Sequence, residues 1–266
     1  MKALLQRAPA GDQEDVGPLL AVEGLAIHFG GVRALRDVSF HARRKEVTGV
    51  IGPNGAGKTT LFNCVSGLLT PDHGRVTFDG RSLRGTPMMR ARRGLGRTFQ
   101  TPRLFRSLSV VDNLAVGCEV ADAAKLPYEF DPSLGSADHV ERAARIARLV
   151  GYRGSLGAPA GSLPFGDLRT VELARALCAA PKMLMLDEPA SGLDIDQALA
   201  LVEVVRNLAG LGLAILLIEH DMSVVMGVCH DITVLDFGTV LATGTPEEVQ
   251  NNPDVLDAYL GKARRA

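Results

Sequence analysis

The chain is poor in the features that mark several common protein classes. Its four cysteines, Cys64, Cys118, Cys178 and Cys229, lie far apart with no C-x-x-C pair, which argues against a zinc site or a disulfide framework and fits a reducing cytosol. It has no basic excess: the formal net charge is −1, so the electrostatic footprint of a general nucleic-acid binder is missing. It has no long apolar run either. The longest, 213–218, falls far short of the ~20 residues of a membrane-spanning helix, and the N-terminus carries no adequate apolar signal core. A chain of this kind that works at a membrane works from its side. Neither an internal repeat nor a long coiled-coil pattern is present. What remains is 266 residues with 46% hydrophobic content, enough for one large core or two modest ones.

Two segments carry the chemistry. Gly52-Pro53-Asn54-Gly55-Ala56-Gly57-Lys58-Thr59-Thr60 follows the apolar run 47–51 and precedes Leu61, Phe62, Val65 and Leu68 at helical spacing, so it occupies a strand-loop-helix corner. Glycines there let successive N–H groups converge on phosphates at the positive end of the helix, Lys58 adds a point charge, and Thr59 offers a hydroxyl to Mg²⁺. A plain glycine turn leaves the lysine and both threonines unexplained. In Met183-Leu184-Met185-Leu186-Asp187-Glu188-Pro189 an apolar strand ends in two acids, and strand alternation points them in different directions. Asp187 is then the candidate for Mg²⁺ through its water shell, and Glu188 for the water that attacks a γ-phosphate.

The surrounding pattern predicts an α/β fold. Residues 1–18 read as a flexible leader and 263–266 as a tail, around a single domain over 19–262. Strands are expected at 20–29, 32–40, 47–51 and 75–79, giving a β-rich first part. A helical region follows over about 101–180: Ser109 starts one helix, and Ser136 opens another with Val140, Ala143, Ile146 and Val150 on one face. Strand 183–186, helix 197–208, strand 213–218 and helix 222–228 then alternate as in a parallel core. A hairpin around Asp236-Phe237-Gly238 and a Pro246-started helix close the chain. The basic cluster Arg90, Arg92, Arg93 and Arg97 reads first as a solvated face and second as a groove for a membrane partner.

Four more segments complete a constellation: Arg97-Thr98-Phe99-Gln100, Leu163-Pro164-Phe165-Gly166-Asp167 ahead of a helix 168–179, Ser191-Gly192-Leu193-Asp194, and Glu219-His220-Asp221. With Phe29 ahead of the glycine loop, this order resembles the ATP-binding subunits of ABC transporters from about residue 19 to 260. The resemblance implies a P-loop NTPase core with a β-rich N-terminal subdomain and an α-helical insert carrying the signature segment. It implies ATP hydrolysis with Mg²⁺ in a head-to-tail dimer, each ATP lying between one subunit's phosphate loop and the other's signature, Leu163 to Asp167. Phe29 would stack on adenine, worth roughly 1–3 kcal/mol by analogy with base stacking, where a core phenylalanine is the plainer reading. Gln100 would meet Mg²⁺ and the attacking water, and His220 the γ-phosphate. Asp194 would steady the dimer contact, or simply cap a helix.

The signature departs from the common Leu-Ser-Gly-Gly-Gln pattern. Pro164 replaces a serine whose hydroxyl would reach the opposing γ-phosphate, and Asp167 replaces glutamine, while Gly166 keeps its N–H at a helix start. Arg97 to Gln100, the extended insert over 119–150, the Leu-Pro-Phe-Gly segment and the ending from Gly244-Thr245-Pro246 to Tyr259-Leu260-Gly261 resemble the first of the two ATPases in branched-chain amino acid uptake systems. That implies two membrane permease subunits, a second ATPase of the same fold or a second copy of this one, an extracytoplasmic solute-binding protein, no nucleic acid, and a peripheral place on the cytoplasmic face of the inner membrane. Two alternatives stay open: the ATPase of another ABC machine such as lipopolysaccharide extraction, and a soluble ABC ATPase outside transport.

Overall fold

The computed structural model describes residues 17–259. Most of the expected leader, the expected tail and the Leu260-Gly261 end of the C-terminal motif lie outside the described residues. The described chain opens with β1 (Leu20–Phe29), β2 (Val32–Ala42) and β3 (Val47–Ile51), followed by α1 (Lys58–Ser66), β4 (His73–Phe78), β5 (Arg81–Ser82), α2 (Pro87–Ala91) and β6 (Leu95–Arg97). Three helices come next, α3 (Val110–Ala124), α4 (His139–Leu149) and α5 (Phe165–Cys178), packed on one another. The second half alternates β7 (Met183–Asp187), α6 (Ile195–Gly210), β8 (Ala214–Ile218) and α7 (Met222–Val228), then the hairpin β9 (Asp231–Asp236) and β10 (Thr239–Gly244), and ends in α8 (Pro246–Gln250) and α9 (Pro253–Tyr259).

The strands form two sheets. β2-β1-β4-β5 is antiparallel, and β10-β9-β3-β8-β7-β6 is parallel except for β10. The inner strands β3, β7 and β8 of the second sheet are buried along their whole length, as covering from two sides requires. Alternation divides them cleanly. Leu184, Leu186, Ile215 and Leu217 join the core beneath α3 to α7, while Met183, Met185, Leu216 and Ile218 join a second core with Phe62, Phe78, Leu20 and Leu25 between the sheets. A chain of this length thus buries two cores in one fold.

Register places the chemistry. Val50 pairs with Ile218, and Ile218 pairs with Asp187, so β3, β8 and β7 end level with one another. Arg97 pairs with Met185, which brings the end of β6 alongside. The loops after these strands therefore emerge on one edge, outside the carboxyl ends of parallel strands, where α/β sheets hold ligands.

Several expectations are corrected. Helix α4 starts at His139 with Asp138 as its cap, not at Ser136, which ends a short 3₁₀ turn. Ala143 and Ile146 are buried, but Val140, at the margin of that stripe in the first turn, is exposed. The signature helix α5 begins at Phe165, three residues before the expected start, because Pro164 presets the dihedral of the capping position. The basic cluster is a solvated face only at Arg92, which is exposed. Arg90 is buried and donates to the carbonyls of Cys64 (2.7 Å), Val65 (2.6 Å) and Gly85 (3.2 Å), and Arg93 donates to those of Ser82 and Phe78. Carbonyls at the end of α1 lack intrahelical donors, and Arg90 supplies them.

Leaving a buried carbonyl bare costs roughly 1–3 kcal/mol. Arg90→Ala is therefore expected to lower Tm by roughly 2–12 °C in a chain of this size. Thermal unfolding followed by circular dichroism checks it, and an unchanged midpoint would show that solvent or backbone shifts replace the guanidinium without cost.

Candidate functional site

The phosphate loop turns sharply between β3 and α1. Gly52 has φ 149 and its missing Cβ would lie 2.1 Å from the Leu235 carbonyl; Gly57 caps α1 with φ 103, where a Cβ would lie 2.6 Å from the Ala34 carbonyl. Only glycine fits either place. Helix α1 has no side-chain cap, so its first N–H groups lack intrahelical acceptors and face the loop, a built anion site. Lys58 is buried and donates to the carbonyls of Gly52 (2.7 Å) and Pro53 (3.0 Å). Burial lowers its pKa from the ordinary lysine range, against the pull of Glu188 and Asp187.

A cavity of about 410 Å³ opens over this loop, lined by Asn54 to Thr60, by Gly31 to Ala34, by Arg36 and Phe237, and by Glu188. Phe29, at the end of β1, is 49% exposed. The core alternative for Phe29 thus fails, yet it stands beside the cavity lining rather than in it.

Asp187 ends β7 in the core, 4% exposed, and burial raises its pKa against the pull of Arg97. The Arg97 guanidinium reaches Asp187 Oδ2 at 2.8 Å and also Asn63 Oδ1 (2.9 Å) and Ser66 Oγ (2.6 Å). Glu188 diverges from Asp187 by a left-handed backbone, φ 46, rather than by simple strand alternation as expected. Gln100 Nε2 donates to Glu188 Oε2 at 3.0 Å, and His220 Nδ1 stands 3.8 Å from the same oxygen. Lys58, Glu188, Gln100 and His220 thus converge on one edge. Thr59, whose hydroxyl suits a phosphate-bound Mg²⁺, is exposed in the cavity lining, while the Asp187 carboxylate, also suited to such an ion, is buried next to Glu188 in sequence and held by Arg97.

Leu163 to Asp167 and Asp194 are absent from that cavity lining. Asp194 caps α6 in a full capping box with Gln197, so the plain capping role is realised.

Four charged residues act here to which the motifs gave no role in the site, although Arg97 and Glu219 stand inside quoted segments. Glu219, fully buried, accepts from the N–H groups of Ala190 (2.8 Å) and His220 (3.0 Å). Glu172 accepts from those of Arg103 (2.8 Å) and Phe99 (3.4 Å), bracketing Gln100, with its pKa raised by burial. Arg97 holds Asp187, and Arg169 reaches the turn after Glu188. The usable signal was a charge set directly against an apolar run, as at Glu219 after 213–218. At the C-terminus, α9 brings Tyr259 to the phosphate loop: burial raises the phenol's pKa, and a hydrogen bond with the Gly52 backbone opposes it.

Residues 35–191 match the family described as "ABC transporter", and residues 239–264 match "Branched-chain amino acid ATP-binding cassette transporter". The chain is 43% identical over 256 residues to the high-affinity branched-chain amino acid transport ATP-binding protein LivG of Salmonella typhimurium, covering 92% of this chain and 99% of that one. It is 35% identical over 245 residues to the lipopolysaccharide export system ATP-binding protein LptB of Haemophilus influenzae, covering 92% and 98%. The fold superposes on the ADP conformation of MJ1267, an ATP-binding cassette of an ABC transporter, with TM-score 0.80 and 30% identity, covering 92% of this chain and 100% of that one.

Lys58→Ala removes the only side-chain cation of the glycine loop. A charged hydrogen bond is worth roughly 1.5–3 kcal/mol, so ATP affinity is expected to fall about ten- to hundredfold, read by calorimetry. Unchanged affinity would remove this loop as the phosphate site.

Proposed function

Because the chain belongs to the ABC transporter family of ATP-binding proteins, we propose that it is the ATP-hydrolysing subunit of an importer for branched-chain or related amino acids. The observation that carries the reading is the meeting of Gln100, Glu188 and His220 at the edge of the phosphate-loop cavity. The C-terminal match favours amino acid uptake over lipopolysaccharide export.

In this reading, N–H groups from Gly55 to Thr60 hold the β- and γ-phosphates, and Lys58 moves from loop carbonyls to phosphate oxygens. Thr59 and, through water, Asp187 and Gln100 would hold Mg²⁺, which would supply positive charge to offset that of the phosphates. Glu188 orients and deprotonates the attacking water, Gln100 sets the direction of that carboxylate, and His220 supports the γ-phosphate. Phe29 would cover the base.

Leu163 to Asp167 take no part in lining the phosphate-loop cavity of their own chain, which supports a head-to-tail pair in which they close over a neighbouring chain's ATP. Asp194 and the turn before it lie along the same contact. The neighbour is a second ATPase of the same fold or another copy. Arg90, Arg97, Phe99, Phe105 and Arg175 line a groove of about 350 Å³ beside Gln100, the place for a cytoplasmic segment of two permease subunits. Among the described residues no helix is long and apolar enough to cross a membrane, consistent with a peripheral subunit on the cytoplasmic face. The solute is selected by an extracytoplasmic binding protein. Deleting the gene in its host should abolish high-affinity leucine uptake and leave lipopolysaccharide export intact; the converse outcome overturns the assignment.

Glu188→Gln keeps the shape and loses the base, so steady-state hydrolysis should fall by at least ~100-fold while ATP binding persists and an ATP-bound dimer accumulates in gel filtration. Near-normal turnover removes Glu188 from its role. If the partner ATPase carries an intact serine signature, Pro164→Ser should raise activity at the partner's nucleotide site only, by about ten- to hundredfold for one charged hydrogen bond. Reconstituted complexes with Glu188→Gln placed in either subunit would separate the two sites. No gain from serine marks Pro164 as neutral.

A further inference from the structure

Glu188 is held in an unusual way. A left-handed backbone at a residue other than glycine persists only where neighbours over-determine it. Three groups do so here. The Glu188 N–H donates to the Ile218 carbonyl at 2.9 Å, the Glu188 carbonyl accepts from the Ser191 N–H at 3.1 Å, and Arg169 Nη1 donates to the same carbonyl at 3.3 Å. Arg169 Nη2 donates to the Ser191 carbonyl at 2.9 Å. One guanidinium thus clamps both ends of the turn that carries the candidate base, in the fork geometry that lysine lacks.

The clamp comes from a different part of the fold. Arg169 lies on α5, one turn past Phe165, and its guanidinium stacks over the Phe165 ring at 5.1 Å. Between α5, α6 and the end of β7 lies a cavity of about 200 Å³, lined in part by Arg169, Leu186, Pro189 and Gln197. Packing there is incomplete, and Arg169 spans it. Its Nε–H is buried with no hydrogen-bond partner, a defect that close packing rarely tolerates without compensation. The two carbonyl contacts are carried by its Nη groups alone.

We propose that Arg169 is a positioning residue for hydrolysis, holding the backbone of Glu188 and thereby tying the signature helix to the base of the same chain. This rests on the assignment of Glu188 as that base. The helix start that faces a neighbour's nucleotide and the carboxylate that serves this chain's own nucleotide are then joined by one side chain.

The test compares Arg169→Ala, Arg169→Met and Arg169→Lys in the assembled transporter. A misplacement near 1 Å costs about a hundredfold in rate, so kcat should fall roughly ten- to hundredfold in Arg169→Ala, with ATP affinity and KM within about twofold. Methionine keeps the apolar stem over Phe165 and should lose as much rate while folding normally, so it also covers the case in which alanine fails to fold. Lysine reaches one carbonyl and should recover part of the rate, and added methylguanidinium should restore part of it to the alanine variant. In single turnover, Arg169→Ala combined with Glu188→Gln should be no slower than Glu188→Gln alone, because both act on one carboxylate. Normal kcat in both the alanine and methionine variants, a loss of ATP affinity equal to the rate loss, or full additivity in the double variant would overturn the proposal. Normal turnover by Glu188→Gln alone would instead overturn the assignment of the base.

Discussion

Everything in the site depends on the in-register pairing of β3, β8 and β7. Val50, Ile218 and Asp187 stand level across three hydrogen-bonded strands, so the phosphate loop, the Glu219-His220 segment and the acidic pair begin from a common edge. A slip of one residue would invert the alternation that sends Met185 and Leu186 into different cores. The two cores therefore lock the register that sets the distances between Lys58, Glu188 and His220.

Onto that edge the fold adds buried charges used as splints. Arg97 and Asp187 form an ion pair with side chains only 8% and 6% exposed. Among the described residues Glu219 and Glu172 pair with no buried cation, Glu219 having only the exposed His220 ring at 3.7 Å; each is satisfied by backbone N–H groups of a loop it must hold still. Removing one partner of such a group leaves an uncompensated charge, which is strongly destabilising. The groups thus contribute to stability only while the loops keep their shape. Loop geometry and folding are coupled by the same hydrogen bonds.

The charges also divide the molecule by task. Arg90 and Arg93 tie α2 to the end of α1 and to the antiparallel sheet through carbonyls. Arg97 crosses from β6 to the acid of β7, and Arg169 crosses from the helical region to the turn beyond it. Movement of the helices relative to the sheet would be felt first at Gln100 and Glu188. That is the physical content of coupling between hydrolysis and a membrane partner in the proposed function.

The glycine loop and the acidic pair were legible from residue order because each motif states its own chemistry: glycines where a Cβ would strike Leu235 or Ala34, a lysine at a helix start, acids at the end of an apolar strand; Gln100 and His220 were named through the family resemblance, and the structure brings both to Glu188. Strands β1 and β3 and helix α7 were placed to the residue for the same reason, since period and punctuation are local. The arginines misled. A run of Arg90, Arg92, Arg93 and Arg97 looks solvated, because sequence shows charge but not which carbonyls or carboxylates wait for it. Arg169 and Glu172 stayed silent, and Glu219 was quoted without a role, since their partners lie far along the chain or in backbone groups that carry no letter. The left-handed turn at Glu188 was likewise hidden. Sequence by itself determined which groups can bind and cleave a phosphate bond, for that chemistry resides in residue type at short spacing. Only the tertiary structure decided how those groups are aimed, because aim depends on strand register and on hydrogen bonds between residues distant in the chain.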